Sequence, residues 1–276
     1  MVDAFETLIF LHIPKAGGNS FLDFLTPHFR KEDRFDVSEG LRYTERLSEL
    51  ETLPTKAKGQ LRFVFGHLPF GIHEWLPQQC RYITVLRDPV DRILSHYYFV
   101  REQRKHPMHE TVMSRRMSIS DYVTSGLSGE LNNGMVRLLC GRPDADSLRG
   151  HGPCQEEDLT EAKRNLDGHF AVVGLLEQMH ATQRVVSQVL GWDDKEPVRR
   201  NQTKKRKSVQ TLRRRDRDAI LSKNAMDIDL YRWASDRFQQ QCSALDIPLP
   251  DFVSEPSVRR RFSFDACKRY FFAKSR

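Results

Sequence analysis

The chain has 276 residues, 39% of them hydrophobic and 10% aromatic, with 44 Lys and Arg against 37 Asp and Glu for a net charge of +7. That length can bury one large core, and the composition suits a globular chain, not a disordered one. No run approaches the roughly 18 consecutive apolar residues of a membrane helix, and no basic segment precedes the N-terminal apolar run, which therefore reads as a core strand rather than a signal peptide.

The first element in chain order is the apolar run Leu8 to Ile13, rich in β-branched and aromatic residues and predicted to be a buried parallel strand over 7–13. Pro14-Lys15-Ala16-Gly17-Gly18-Asn19-Ser20 follows, and helical spacing of Phe21, Leu22, Phe24 and Leu25 predicts a helix over 21–29. Strand, glycine loop and helix together suit an anion: glycines let backbone N–H groups approach, the helix start is positive, and Lys15 adds a full charge. The order of residues differs from a Walker A loop, where the Lys follows the second glycine and directly precedes Ser or Thr. A plain strand–helix turn is the competing reading of this segment.

Residues 30–60 are polar and read as a surface helix and loops. A short strand over 61–66 ends at His67. Tyr82 to Leu86 is another apolar strand, expected over 81–86. Arg87-Asp88-Pro89 ends it, with Pro89 fitted to a first helical turn. Asp91, Arg92, Ser95 and Tyr98 then keep helical spacing. Arg87 thus sits at a strand's carboxyl end, where open α/β sheets bind ligands; simple local pairing of Arg87 with Asp88 is the alternative.

The stretch 102–130 is charged, with a helix near Ile119 to Thr124. Residues 132–140 read as a short helix or turn, and 141–157 as a loop. A helix over Glu161 to Leu166, a strand over Phe170 to Gly174 and a helix from Gln178 to Leu190 come next, with Leu190-Gly191 as the stop signal. Residues 209–241 form one or two helices. The sequence divides into a main domain over 1–250 and a basic, aromatic tail over 251–276.

Five cysteines, Cys80, Cys140, Cys154, Cys242 and Cys267, form no CxxC pair. They read as free thiols in a reducing compartment, which points to a cytoplasmic protein. His151 and Cys154 alone are weak as metal ligands, so no metal is expected. Between Arg199 and Arg217 ten of nineteen residues are Lys or Arg. Such a run serves nucleic acid or a solvated basic face.

HIPKAGGNSF and RDPVDRILSHYYF together resemble the cofactor motifs of sulfotransferases that use 3′-phosphoadenosine 5′-phosphosulfate (PAPS). The similarity is strongest to the branch with heparan sulfate and dermatan/chondroitin uronyl 2-O-sulfotransferases and their bacterial relatives. Weaker similarity continues through FGH at 65–67, AKRNLDGHFAVVGLLE at 162–177 and RRNQTKKRKS at 199–208. The resemblance implies an α/β fold, a P-loop-like parallel sheet flanked by helices, as a single domain with a helical, basic C-terminal part. It implies that Lys15, Ala16, Gly17, Gly18, Asn19 and Ser20 hold the 5′-phosphosulfate, and that Arg87 and Ser95 hold the 3′-phosphate. The basic segment lies over the nucleotide, with Thr203 and Lys205 as contacts, and 102–130 forms an insertion on the acceptor side.

His67, in the matching Gly-His position, is the implied base, because an imidazole with a pKa near ~6.5 takes a hydroxyl proton at neutral pH. Lys15 is implied to stabilise charge on the bridging oxygen as PAP leaves, by analogy with phosphoryl transfer. The resemblance implies a hydroxyl acceptor on a carbohydrate or polysaccharide, with no nucleic acid partner. Two departures stand out: Ala16 replaces the usual Thr after the loop Lys, and Phe65 replaces a second histidine. His12 reads as a buried strand residue.

The basic tail suits an acidic glycan or, through Phe262, Phe264, Tyr270, Phe271 and Phe272, a second subunit in a homo-oligomer. Two readings from other classes stay open: a nucleotide kinase, opposed by the loop order, and a non-catalytic polyanion- or nucleotide-binding protein of the same fold.

Overall fold

Five short apolar runs pair into one parallel sheet: β1 (Thr7–Leu11), β2 (Arg34–Asp36), β3 (Phe63–Gly66), β4 (Cys80–Leu86) and β5 (Phe170–Leu175). Their order is β2-β3-β1-β4-β5, and every pair is parallel. The computed structural model describes residues 6–37, 43–141, 152, 154–193 and 211–249. Leu8, Ile9, Phe10 and Leu11 are wholly buried, as a central strand covered on both faces requires. The expected architecture, a parallel sheet flanked by helices, is the one observed.

The order of the strands makes the site. After β1 the chain passes toward the β2 edge, and after β4 it passes toward β5. The loops that follow these two adjacent strands therefore part from one another, which opens a crevice at their carboxyl ends. Leu11 stands level with Gly66 of β3 and with Thr84 of β4, so β1 and β3 finish together and β4 runs two residues further, to Leu86.

Helices fill the connections. α1 (Gly18–Leu25) begins earlier than expected and stops before 29, because Pro27 allows only a 3-10 turn over Thr26–His28. α2 (Tyr43–Thr52) and α3 (Thr55–Lys58) lie in the polar stretch that reads as surface helix and loop. Strand β2 was not expected there: at three residues it is too short to carry a periodic signal. α4 (Pro89–Glu102) starts as the sequence predicts, with Asp88 accepting the N–H groups of Val90 and Asp91 at 2.9 and 3.1 Å.

α5 (His109–Ser114), α6 (Ile119–Thr124) and α7 (Gly134–Leu139) follow. α8 (Glu156–His169) is longer than the expected 161–166, because Gln155 and Asp158 close a capping box at its start. α9 (Met179–Leu190) ends at Gly191 in the left-handed region, as its stop signal predicts. The stretch after 209 resolves into α10 (Arg214–Lys223) and α11 (Ala225–Ala244), which meet at Asn224.

Two apolar clusters result. The larger one surrounds the sheet with α1, α7, α8, α9 and α11. The smaller one joins α4, α5, α6 and α10 through Ile93, Tyr97, Val112, Tyr122 and Ile220. A buried ion pair, Arg92 Nη2 to Asp227 Oδ2 at 3.4 Å, ties α4 to α11. Asp227 also accepts from the N–H groups of Met135 and Val136 at the start of α7. The domain boundary at 250 and the tail over 251–276 lie outside the described residues, as do Thr203, Lys205 and Cys267.

Candidate active site at the carboxyl edge of the sheet

The loop after β1 is shaped by its backbone. Ala16 N–H donates to the Ile13 carbonyl at 3.2 Å, closing a tight turn. Gly17 caps α1 at φ +80° and Lys15 stands at φ +67°, both in the left-handed region. That conformation suits glycine but costs a lysine about 1–2 kcal/mol. Gly18 opens the helix against His12, where a methyl group would fall 1.9 Å from Nε2 of its ring. The first-turn N–H groups of such a helix lack intrahelical acceptors. Ala16 is buried, Asn19 is exposed and Ser20 is half-buried at the helix start.

The loop after β4 meets this turn directly. The buried Arg87 side chain donates from Nη1 to the Lys15 carbonyl at 2.8 Å. Two cationic residues, 72 positions apart, are thereby held together. Burial, and next the charge of Arg87, keep the Lys15 ammonium below its usual range, against the opposing pull of Glu130 and Glu102. The Lys15 ammonium lies 3.7 Å from the centre of the Phe99 ring. Behind Arg87, Glu177 accepts the Asp88 N–H at 3.0 Å and the Tyr231 hydroxyl at 2.8 Å, bracing this turn against α11. Ser95 is half-buried on α4, about two turns beyond Arg87.

His67 follows β3 and completes the cluster. Its Nδ1–H donates to the His12 carbonyl at 2.8 Å. A neutral ring so bound carries its lone pair on Nε2, the tautomer that a general base needs. His12 lies past the end of β1, buried as expected, but it is not merely a strand residue. Its ring stacks on Phe10 and sits 4.3 Å from the His67 ring, centre to centre. Burial, His67 and Lys15 together push the His12 imidazole well below its ordinary pKa. Phe65 is buried beside this cluster, and a second imidazole, His12, reaches His67 from the loop after β1.

Four residues that sequence reasoning missed lie beside this cluster. Glu130, in the turn Gly129–Leu131, pairs with His96 Nε2 at 2.9 Å. His96 Nδ1 in turn accepts the Tyr122 hydroxyl at 2.6 Å. His106 stands edge-on to both His96 and Phe99. Burial alone would raise the Glu130 carboxyl, but His96, Arg92 and His67 hold it down at about 2. Only the charged composition of 102–130 hints at this side of the crevice.

The arrangement defines an open α/β protein with a cationic strand–loop–helix turn and a histidine at the carboxyl edge of its sheet. Residues 7–137 match the family model described as the sulfotransferase domain. Heparan sulfate 2-O-sulfotransferase hst-2 of Caenorhabditis elegans is 26% identical over 105 residues, covering 35% of this chain and 32% of the relative. The chain thus matches about a third of that protein. A mouse sulfotransferase, SULT7A1, solved in complex with PAP, aligns at a TM-score of 0.39 and 16% identity over 69% of this chain and 61% of that one. Among the described residues no helix is long and apolar enough to cross a membrane.

Proposed function

We propose that the protein is a sulfotransferase that moves the sulfuryl group of PAPS to a carbohydrate hydroxyl and releases PAP. One observation carries this reading. Lys15 after β1, His67 after β3 and Arg87 after β4 converge at the ends of three adjacent strands, with Arg87 bonded to the Lys15 carbonyl.

The donor set fits an anionic nucleotide. Lys15 and Arg87 are held side by side and repel one another, a cost that a bound phosphate would remove. Lys15 and the backbone of Ala16, Gly17, Gly18, Asn19 and Ser20 would hold the 5′ end, and Arg87 with Ser95 the 3′-phosphate. Thr203 and Lys205 are assigned to the nucleotide on sequence resemblance alone. PAPS supplies an activated sulfuryl group with a good leaving oxygen. His67 Nε2 takes the acceptor hydroxyl proton, while its Nδ1–H stays on the His12 carbonyl. The Lys15 ammonium stabilises charge that gathers on the oxygen beside it.

Calorimetric titration of PAP, with ATP and magnesium as the control, tests the donor half. Arg87→Ala should weaken PAP binding by about a hundred-fold or more, since a charge-assisted phosphate contact and the loop clamp are lost together. His67→Ala should retain PAP and lower transfer by roughly 10²–10⁴-fold. A wild-type chain that binds no PAP would favour a polyanion-binding protein of this fold, a reading that the missing hydroxyl at Ala16 supports.

A further inference from the structure

Lys15 is the cation that the proposed transfer sets beside the departing oxygen, so the place of its ammonium matters. The loop after β1 settles the backbone: Lys15 stands at φ +67°, and Arg87 Nη1 donates to its carbonyl at 2.8 Å. A lysine stem keeps a chain of rotatable bonds beyond that point, so its backbone alone does not fix its charge. The fixing contact comes from α4. The Lys15 ammonium lies 3.7 Å from the centre of the Phe99 ring, well within cation–π distance. Among the described residues no carboxylate pairs with this ammonium, and that of Glu130 is taken by His96 at 2.9 Å.

Phe99 has no part in the core. It belongs to neither apolar cluster of the described residues, and it is 36% exposed. A single exposed apolar side chain is ordinary on a protein surface; this one carries a cation on its face. It follows Ser95 by four residues, so the two share one face of α4. His106 stands edge-on to it, with 5.8 Å between centres and 83° between planes, and steadies the ring from beside. A ring has an advantage here over a carboxylate. Its quadrupole attracts the ammonium but brings no net charge, so the cation is held without being neutralised and an arriving anion is not repelled.

We propose that Phe99 is the positioning residue for Lys15: its ring holds the ammonium between the loop after β1 and α4, ready for the anionic donor. This rests on the sulfotransferase reading and adds to it a residue that acts through Lys15. The lysine side chain is then ordered before the donor arrives, and less freedom is lost on binding.

The test follows PAP affinity by calorimetry in wild type, Phe99→Leu and Phe99→Tyr, each with Lys15 and with Lys15→Ala. Leucine keeps apolar bulk without a ring, and tyrosine keeps the ring face. Phe99→Leu should weaken PAP binding by about three- to thirty-fold, the range of one cation–π contact, and Phe99→Tyr should stay within about two-fold of wild type. In the Lys15→Ala background the leucine substitution should change affinity by less than about two-fold, because the group through which the ring acts is gone. A second measurement needs no ligand. Ring current should move the Lys15 ε-methylene protons upfield in the NMR spectrum of wild type and Phe99→Tyr, and leave them among the other lysines in Phe99→Leu. Unchanged or tighter PAP binding by Phe99→Leu, an equal loss with and without Lys15, or no ring-current shift in wild type would each overturn the assignment. Failure of wild type to bind PAP would instead overturn the sulfotransferase reading itself.

Discussion

The loop after β1 and the segment from α4 to α7 face one crevice but are held in different ways. The first is fixed by backbone and space: a tight turn at Ile13 to Ala16, Gly17 in the left-handed region, and Gly18 against the His12 ring. The second is fixed by charge: Arg92 on Asp227, and Glu130 on His96. A site that must take a highly charged donor gains from carrying few charges of its own beyond the two cations that meet it. A site that must tell one hydroxyl compound from another gains from fixed, directional polar groups. The first region should therefore be sensitive to added volume, and the second to removed charge.

The largest effect is expected at Arg92, in the charged region. Arg92→Met removes a wholly buried cation and leaves Asp227 with the Met135 and Val136 N–H groups and the charge of Arg137. Breaking such a pair from one side costs about 3–5 kcal/mol, to be read from urea midpoints at neutral pH. The double variant Arg92→Met, Asp227→Asn should recover part of this loss. A single variant as stable as wild type would show that the pair does not hold α4 to α11.

Next is the pH dependence of Glu130. Its folded carboxyl, held down near 2 against a reference value of 4.5, contributes stability that is fully present above pH 4.5 and lost as pH falls toward 2. The shift corresponds to about 3 kcal/mol. Glu130→Gln should therefore be less stable than wild type at pH 7, and the two unfolding curves should draw together below about pH 4.5. A constant difference across that range would mean that Glu130 acts by shape and not by charge.

The two regions also differ in how far the sequence discloses them. Lys15, Gly17, Gly18 and Arg87 stand in two contiguous segments, each a strand end joined to a helix start, so local pattern carries their placement. His67 is legible for the same reason, as the residue after a strand. Glu130, His96 and Tyr122 are brought together by α4, α6 and an irregular turn, and none lies in a motif. His12 was read as a strand residue because only the pairing of β1 with β3 carries His67 to its ring. Strand β2 escaped because pairing with β3, rather than any pattern of its own three residues, makes it a strand.

The smallest effect on stability, and the sharpest test of the space-limited region, is expected at Gly18. In Gly18→Ala the new methyl group would lie 1.9 Å from His12 Nε2 and 2.0 Å from Cδ2, well inside contact distance. His12 cannot swing aside, because it is buried with Phe10 on one side and His67 on the other. Either α1 moves away from β1 or the two imidazoles shift together. Overpacking of this kind costs typically about 1–3 kcal/mol, and nearer the lower end here if the helix start yields. Function should suffer more than stability, since the same displacement moves both the turn that carries Lys15 and the carbonyl that orients His67. PAP titration and transfer rates beside a urea midpoint would separate the two effects. A variant that keeps wild-type PAP affinity and rate would show that the loop after β1 tolerates added volume, and the contrast with the charged region would then fail.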